Sequence, residues 1–152
     1  MSTDRIFDVA KEAMLVLNRS GIDYALCGGL AVAVHGFFRA TEDVDVLVRN
    51  KDDARRIQEL LAAQGWITSP AGVTFPDGFI MHRAVKAVGR HAIPLDILVQ
   101  PEGQDFLTDR LRAEIDSCAC WVIAKDRLVV MKRSAGRPKD LIDIAALNGE
   151  GS

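Results

Sequence analysis

Apolar positions along the chain repeat with two periods, and the changes of period mark its elements. Ile6, Val9, Ala10, Ala13, Met14 and Leu17 recur at three- and four-residue intervals, with Asp8, Lys11, Glu12 and Arg19 between them. This spacing predicts an amphipathic helix over roughly residues 4–19, with Gly21 after its end. Tyr24-Ala25-Leu26-Cys27 reads as a short buried strand, and Gly28-Gly29 turns the chain into a small-residue helix from Leu30 to His35. After a loop, Asp43-Val44-Asp45-Val46-Leu47-Val48 alternates as a strand does. Lys51 to Gln64 is predicted helical, with Ala54, Ile57, Leu60 and Leu61 inward, Asn50 as N-cap and Gly65 beyond the end. Strands follow at Trp66–Thr68, Phe79–Val85 and Ala92–Val99, separated by the stretches Pro70–Gly78 and Val88–Arg90. Helices are expected at Asp105–Ile115 and Asp126–Arg133, around a strand at Trp121–Ile123. A last helix, Pro138–Leu147, would carry Pro near its first turn.

Composition narrows this picture. The chain has 152 residues, 49% of them apolar and 26% charged, which suits a single globular domain over residues 1–152 with 124–148 as a C-terminal helical segment. The formal net charge of −2 excludes a protein that coats nucleic acid by bulk electrostatics. The acid-containing start, Met1-Ser2-Thr3-Asp4-Arg5, lacks the build of a signal peptide, and no run approaches membrane-spanning length. Cys27, Cys118 and Cys120 are an odd count in a chain that can stabilise itself by burial, so reduced thiols and a cytoplasmic location are expected, with no membrane partner. Cys118 and Cys120 stand beside no second ligand cluster and are assigned to a strand or loop.

The carboxylates resist a purely structural reading. Side chains i and i+2 of a strand share a face, so Asp43 and Asp45 lie together opposite Val44, Val46 and Val48. Two adjacent carboxylates repel unless water or a cation offsets the repulsion. Asp96 repeats the puzzle, because it interrupts the apolar run Ile93-Pro94-Leu95-Asp96-Ile97-Leu98-Val99. If this strand pairs beside the first, three carboxylates converge on one face and are able to hold two magnesium ions about 3.5–4 Å apart. The alternative is an ordinary salt bridge from Asp96 to an arginine such as Arg83 or Arg90. A phosphatase with a nucleophilic Asp-x-Asp is disfavoured, since there the apolar strand precedes the acids, whereas here Phe38-Arg39-Ala40-Thr41-Glu42 precedes them.

Gly28 and Gly29, between strand and helix, permit a tight turn whose backbone N–H groups can receive a phosphate. Leu26-Cys27-Gly28-Gly29 followed by Arg39-Ala40-Thr41-Glu42-Asp43-Val44-Asp45-Val46 resembles the signature of the DNA polymerase beta-like nucleotidyltransferase superfamily, with Asp96 as third carboxylate. Met131-Lys132 and Gly136-Arg137-Pro138-Lys139-Asp140-Leu141-Ile142-Asp143 look like the C-terminal segment of its minimal and abortive-infection-type members from toxin–antitoxin and defence systems. In those relatives, a lysine at the place of Lys132 and an acid at the place of Asp140 serve the site. The resemblance implies an α/β (α+β) fold, a mixed twisted sheet with helices packed mainly on one face. It also implies Mg2+, with two ions, held by Asp43, Asp45 and Asp96, which are also the catalytic candidates. A nucleoside triphosphate would sit on Gly28 and Gly29.

The implied activity is transfer of a nucleoside monophosphate to an acceptor that is a protein, an RNA or a small molecule, with a cognate antitoxin or toxin as partner. Arg39 and Lys132 are the candidates for fixed positive charge at the triphosphate, although each also suits an exposed surface position. Arg137, Lys139, Asp140 and Asp143 also read as a helix-terminal ion-pair cluster. His82, on a strand, is positioned to line the cleft, without an assigned chemistry. Two rival functions stand beside this one: a non-catalytic nucleotide- or partner-binding descendant, and an aminoglycoside-type antibiotic nucleotidyltransferase. The turn also departs from many relatives, whose serine follows the first glycine where this chain has Gly29.

Overall fold

The apolar periodicity of the N-terminal segment is realised in α1 (Thr3–Ser20), where Ile6, Val9, Ala10, Ala13, Met14 and Leu17 are all buried. The computed structural model describes residues 3–38 and 40–149. After α1 come β1 (Tyr24–Cys27), α2 (Gly28–Val34), β2 (Val44–Val48), α3 (Lys51–Ala63), β3 (Ile67–Thr68), β4 (Val73–Thr74), β5 (Ile80–Val88) and β6 (His91–Val99). The chain then forms β7 (Leu111–Ile115), β8 (Cys118–Val122), α4 (Lys125–Ala135) and α5 (Pro138–Leu147). No helix among the described residues is long and apolar enough to cross a membrane.

The strands make one mixed eight-stranded sheet in the order β3-β5-β6-β2-β1-β8-β7, with β4 on β5. Strand β2 is antiparallel to β1 and parallel to β6, and β6 is antiparallel to β5. Alternation along β2 and β6 sends Val44, Val46, Leu95, Ile97 and Val99 to one face, where all are buried. Each such aliphatic side chain contributes roughly 1.5–3 kcal/mol when fully withdrawn from water. Helices α1 and α3 pack on this face. Glu12 of α1 accepts from Lys86 Nζ at 3.0 Å and from Trp66 Nε1 at 3.1 Å, and Gln58 of α3 donates to the carbonyls of Ser69 and Arg83. Helix α3 begins where Asn50 accepts the Asp53 amide at 2.8 Å, the local reason the sequence turns helical there.

Two elements differ in kind from the sequence expectation: the expected separating stretch Pro70–Gly78 contains the short strand β4, paired with β5, and the expected third-from-last helix is a strand. Asp105–Ile115 is not a helix: residues 111–115 form β7, a hairpin partner of β8. Leu111, Ala113 and Ile115 alternate, and Asp116 and Ser117 both adopt positive φ, 47° and 69°, the two-residue turn that suits a twisted hairpin. Cys118 and Cys120 lie on β8. Helices α4 and α5 pack on each other, and α4 also touches α2. Lys132 of α4 comes near enough for its charge to act on Asp45.

Candidate active site

Register alone builds the site. Cα partners run Cys27–Asp45 between β1 and β2, Asp45–Asp96 between β2 and β6, and Asp96–Arg83 between β6 and β5. Four side chains on four neighbouring strands thus share one level and one face of the sheet. Asp43, just before β2, joins them from two residues away, and Asp43, Asp45 and Asp96 each place one carboxylate oxygen within 4.8 Å of the others. The Thr41 hydroxyl lies 3.5 Å from Asp43 Oδ1.

The electrostatics follow from crowding. Burial, then the charges of Asp43 and Asp96, push the Asp45 carboxyl well above its ordinary range. Burial, then the neighbouring Asp45, likewise raises the Cys27 thiol and keeps it neutral. Three convergent hard oxygen donors that repel one another are the donor set a divalent magnesium-type ion requires, so the residues fit the metal.

Gly28 owes its identity to this cluster. Its φ is +67°, a left-handed conformation that glycine tolerates, and a Cβ there would overlap Asp45 Oδ2 and lie 2.7 Å from Asp45 Cγ. The close approach of the turn to a carboxylate is thus a second reason for glycine, beside the phosphate cradle that the sequence suggests. Gly29 is buried in the first turn of α2.

Asp96 is both things the sequence left open. It belongs to the carboxylate triad, and it is ion-paired to Arg83, with Nε at 2.7 Å from Oδ1 and NH2 at 3.3 Å from Oδ2. The bond to Asp96 in turn raises the Arg83 pKa. Lys132 is enclosed, 5% exposed, with its ammonium 2.8 Å from Asp143 Oδ2 and 3.6 Å from Asp140 Oδ1. Asp140 also accepts from the backbone N–H and guanidinium of Arg137. Arg137 is exposed and contributes to the field at Asp45 and Asp43. The i, i+3 spacing of Arg137 and Asp140 marks a helix start in the sequence, but nothing there shows that its cation reaches toward the β2 acids. Arg39 lies outside the described residues.

His82 does not line the cleft. Its partner is Ile97, one residue out of phase with Asp96, so it points to the opposite face, where its ring lies against Gly72. A cavity of about 330 Å³, lined by Tyr24, Arg110 and Trp121 among others, opens at the far end of β1 from the carboxylates.

A glycine turn leading into a short helix, with carboxylates on the two parallel strands alongside, defines the nucleotidyltransferase class, and solved structures of that class share the fold. TM1012 of Thermotoga maritima, a proposed nucleotidyltransferase, superposes with a TM-score of 0.69 at 12% identity, over 98% of this chain and 96% of its own. ANT(2")-Ia, solved with adenylyl-2"-tobramycin, gives a TM-score of 0.61 at 10% identity, over 95% of this chain and 87% of its own. JHP933 of Helicobacter pylori gives 0.57 at 16% identity, over 97% and 67%. No curated protein matches the sequence. The chain belongs to the family DUF6036, nucleotidyltransferases of unknown function, whose family model matches residues 4–148.

Proposed function

We propose that the chain works as a single domain that moves a nucleoside monophosphate from a nucleoside triphosphate to a hydroxyl acceptor, with Asp43, Asp45 and Asp96 as catalytic and metal-holding residues. The observation that carries this reading is the convergence of three acids, about fifty residues apart in sequence at the extreme, on one level of the sheet. Divalent ions held there, two Mg2+ by the superfamily resemblance, would supply charge neutralisation at the reacting phosphate. Asp96 assists removal of the acceptor proton. The acceptor oxygen then bonds to the α-phosphorus, the bond from that phosphorus to the bridging oxygen breaks, and pyrophosphate leaves. Gly28 and Gly29 border the triphosphate, and Arg39 and Lys132 balance its charge, Lys132 from within its pairing with Asp143. Segment 124–148 completes this nucleotide side of the site.

The odd count of cysteines supports a cytoplasmic location, and the resemblance to abortive-infection-type proteins supports a role in a toxin–antitoxin or defence pair. The likeness to ANT(2")-Ia favours a second reading, transfer to an aminoglycoside. The exposed guanidiniums of Arg83 and Arg137 around the acids argue against a polycationic acceptor.

Incubation of the protein and magnesium with each α-labelled triphosphate, with tobramycin or with cell extract, separates these readings. Label on a protein or RNA of the extract supports the first, and label on tobramycin the second. Nucleotide binding without pyrophosphate release leaves a non-catalytic descendant.

A further inference from the structure

Asp96 meets two demands at once. Asp96 is 6% exposed beside Asp43 and Asp45, and both of its carboxylate oxygens accept from Arg83. The strand that brings Arg83 is fixed at that point from the opposite face, where the buried Gln58 donates to the Arg83 carbonyl at 3.0 Å. The guanidinium itself remains half exposed, so the hydrophobic core does not require it. Lys132 and Arg137 pair with Asp143 and Asp140, acids outside the triad, whereas Arg83 pairs with a triad member.

Charge and geometry then act in opposite directions. A positive group in contact with the triad reduces its pull on any divalent ion, an effect on the order of tenfold in affinity at a partly screened site. The two-pronged contact also locks the plane of the carboxylate, while about half of its lone pairs stay available.

We propose that Arg83 is a positioning residue that orients the Asp96 carboxylate beside Asp43 and Asp45 and, through the same contact, weakens the grip of the site on divalent ions. The inference rests on the metal reading above.

The test compares the full chain with Arg83→Gln, Arg83→Lys and, as a control on the adjoining exposed turn, Arg90→Gln. Mn2+ affinity without nucleotide, the rise in Tm on adding Mn2+, and kcat and KM for the triphosphate are measured. Arg83→Gln should bind Mn2+ about tenfold more tightly and gain more Tm from it, yet lose about tenfold or more in kcat with KM little changed. Arg83→Lys, which keeps the charge and loses the fork, should bind Mn2+ within about twofold of wild type and still lose kcat. Arg90→Gln should match wild type throughout. Unchanged or weaker Mn2+ binding by Arg83→Gln overturns the proposal, as does full kcat in Arg83→Lys, which also decides the matter should the glutamine variant not fold. A wild type that binds no Mn2+ overturns the metal reading itself.

Discussion

Two clusters of charged side chains lie near the end of β1, and they are balanced differently. On the sheet, among the described residues, Asp43, Asp45 and Asp96 converge and Arg83 is the cation paired with one of them, Asp96, three acids to one base. Between α4 and α5, Lys132 and Arg137 face Asp140 and Asp143, two to two. The same residue type responds in opposite ways. Asp45 is pushed up by burial and like charges, whereas at Asp140 the raising effect of burial is outweighed by the hydrogen bonds and charge of Arg137 and the charge of Lys132, so its carboxyl is held low. A neutral cluster is stable without a ligand and can lend its cations to the site beside it, whereas an acidic excess needs a ligand of its own, and that is where metal chemistry is to be sought.

Asp45→Asn should break the first cluster most severely, lowering transfer by about a thousandfold or more. Without metal the same variant should be the more stable protein at neutral pH. The folded pKa of Asp45 lies above the ordinary value of 3.8, so the folded chain binds that proton more tightly than the unfolded chain does. Its favourable contribution is complete below the ordinary value and is lost as pH rises through the folded value. Melting curves in chelator from pH 4 to 8 should therefore show a decline for wild type that the Asp45→Asn substitution flattens. Full activity of the variant would remove Asp45 from the site.

Lys132→Met tests the second cluster. It leaves two buried carboxylates short of a cation and should cost about 3–5 kcal/mol in urea denaturation. A cost under about 1 kcal/mol would show that Asp140 and Asp143 do not depend on it. Gly28→Ala sharpens the contrast from the backbone side, since the new methyl group meets Asp45. A loss of about 1–3 kcal/mol is expected from denaturation, together with weaker Mn2+ binding. Asn50→Ala, at the start of α3, should cost only about 1 kcal/mol and leave transfer unchanged, the baseline for a change that touches neither cluster.

The sequence discloses the acids of the first cluster and little of their setting. Asp43 and Asp45 are visible because period-two alternation assigns faces, and Asp96 because a carboxylate inside an aliphatic run is out of place. Helices α1, α3 and α5 are legible from local periodicity and caps. What stays hidden depends on register and on packing between distant segments. Arg83 and Arg90 are equivalent candidates until the β5–β6 pairing puts Arg83 opposite Asp96, and the same pairing sends His82 to the far face. Strand β7 reads as helix because Leu111-Arg112-Ala113-Glu114-Ile115 suits either period, and its hairpin partner decides the outcome. The enclosure of Lys132 comes from α5 folding back on α4, which no local pattern records.

The parallel pairing of β2 with β6 carries a kinetic consequence. Closing a connection of about fifty residues costs entropy before any ladder bond rewards it, so this junction is among the slower steps open to the chain. Until it closes, Asp96 has no fixed place beside Asp45, and neither half of the polypeptide offers a complete cation trap. On the proposed metal reading, recovery of Mn2+ binding after dilution from denaturant is therefore a clock for the β2–β6 junction itself.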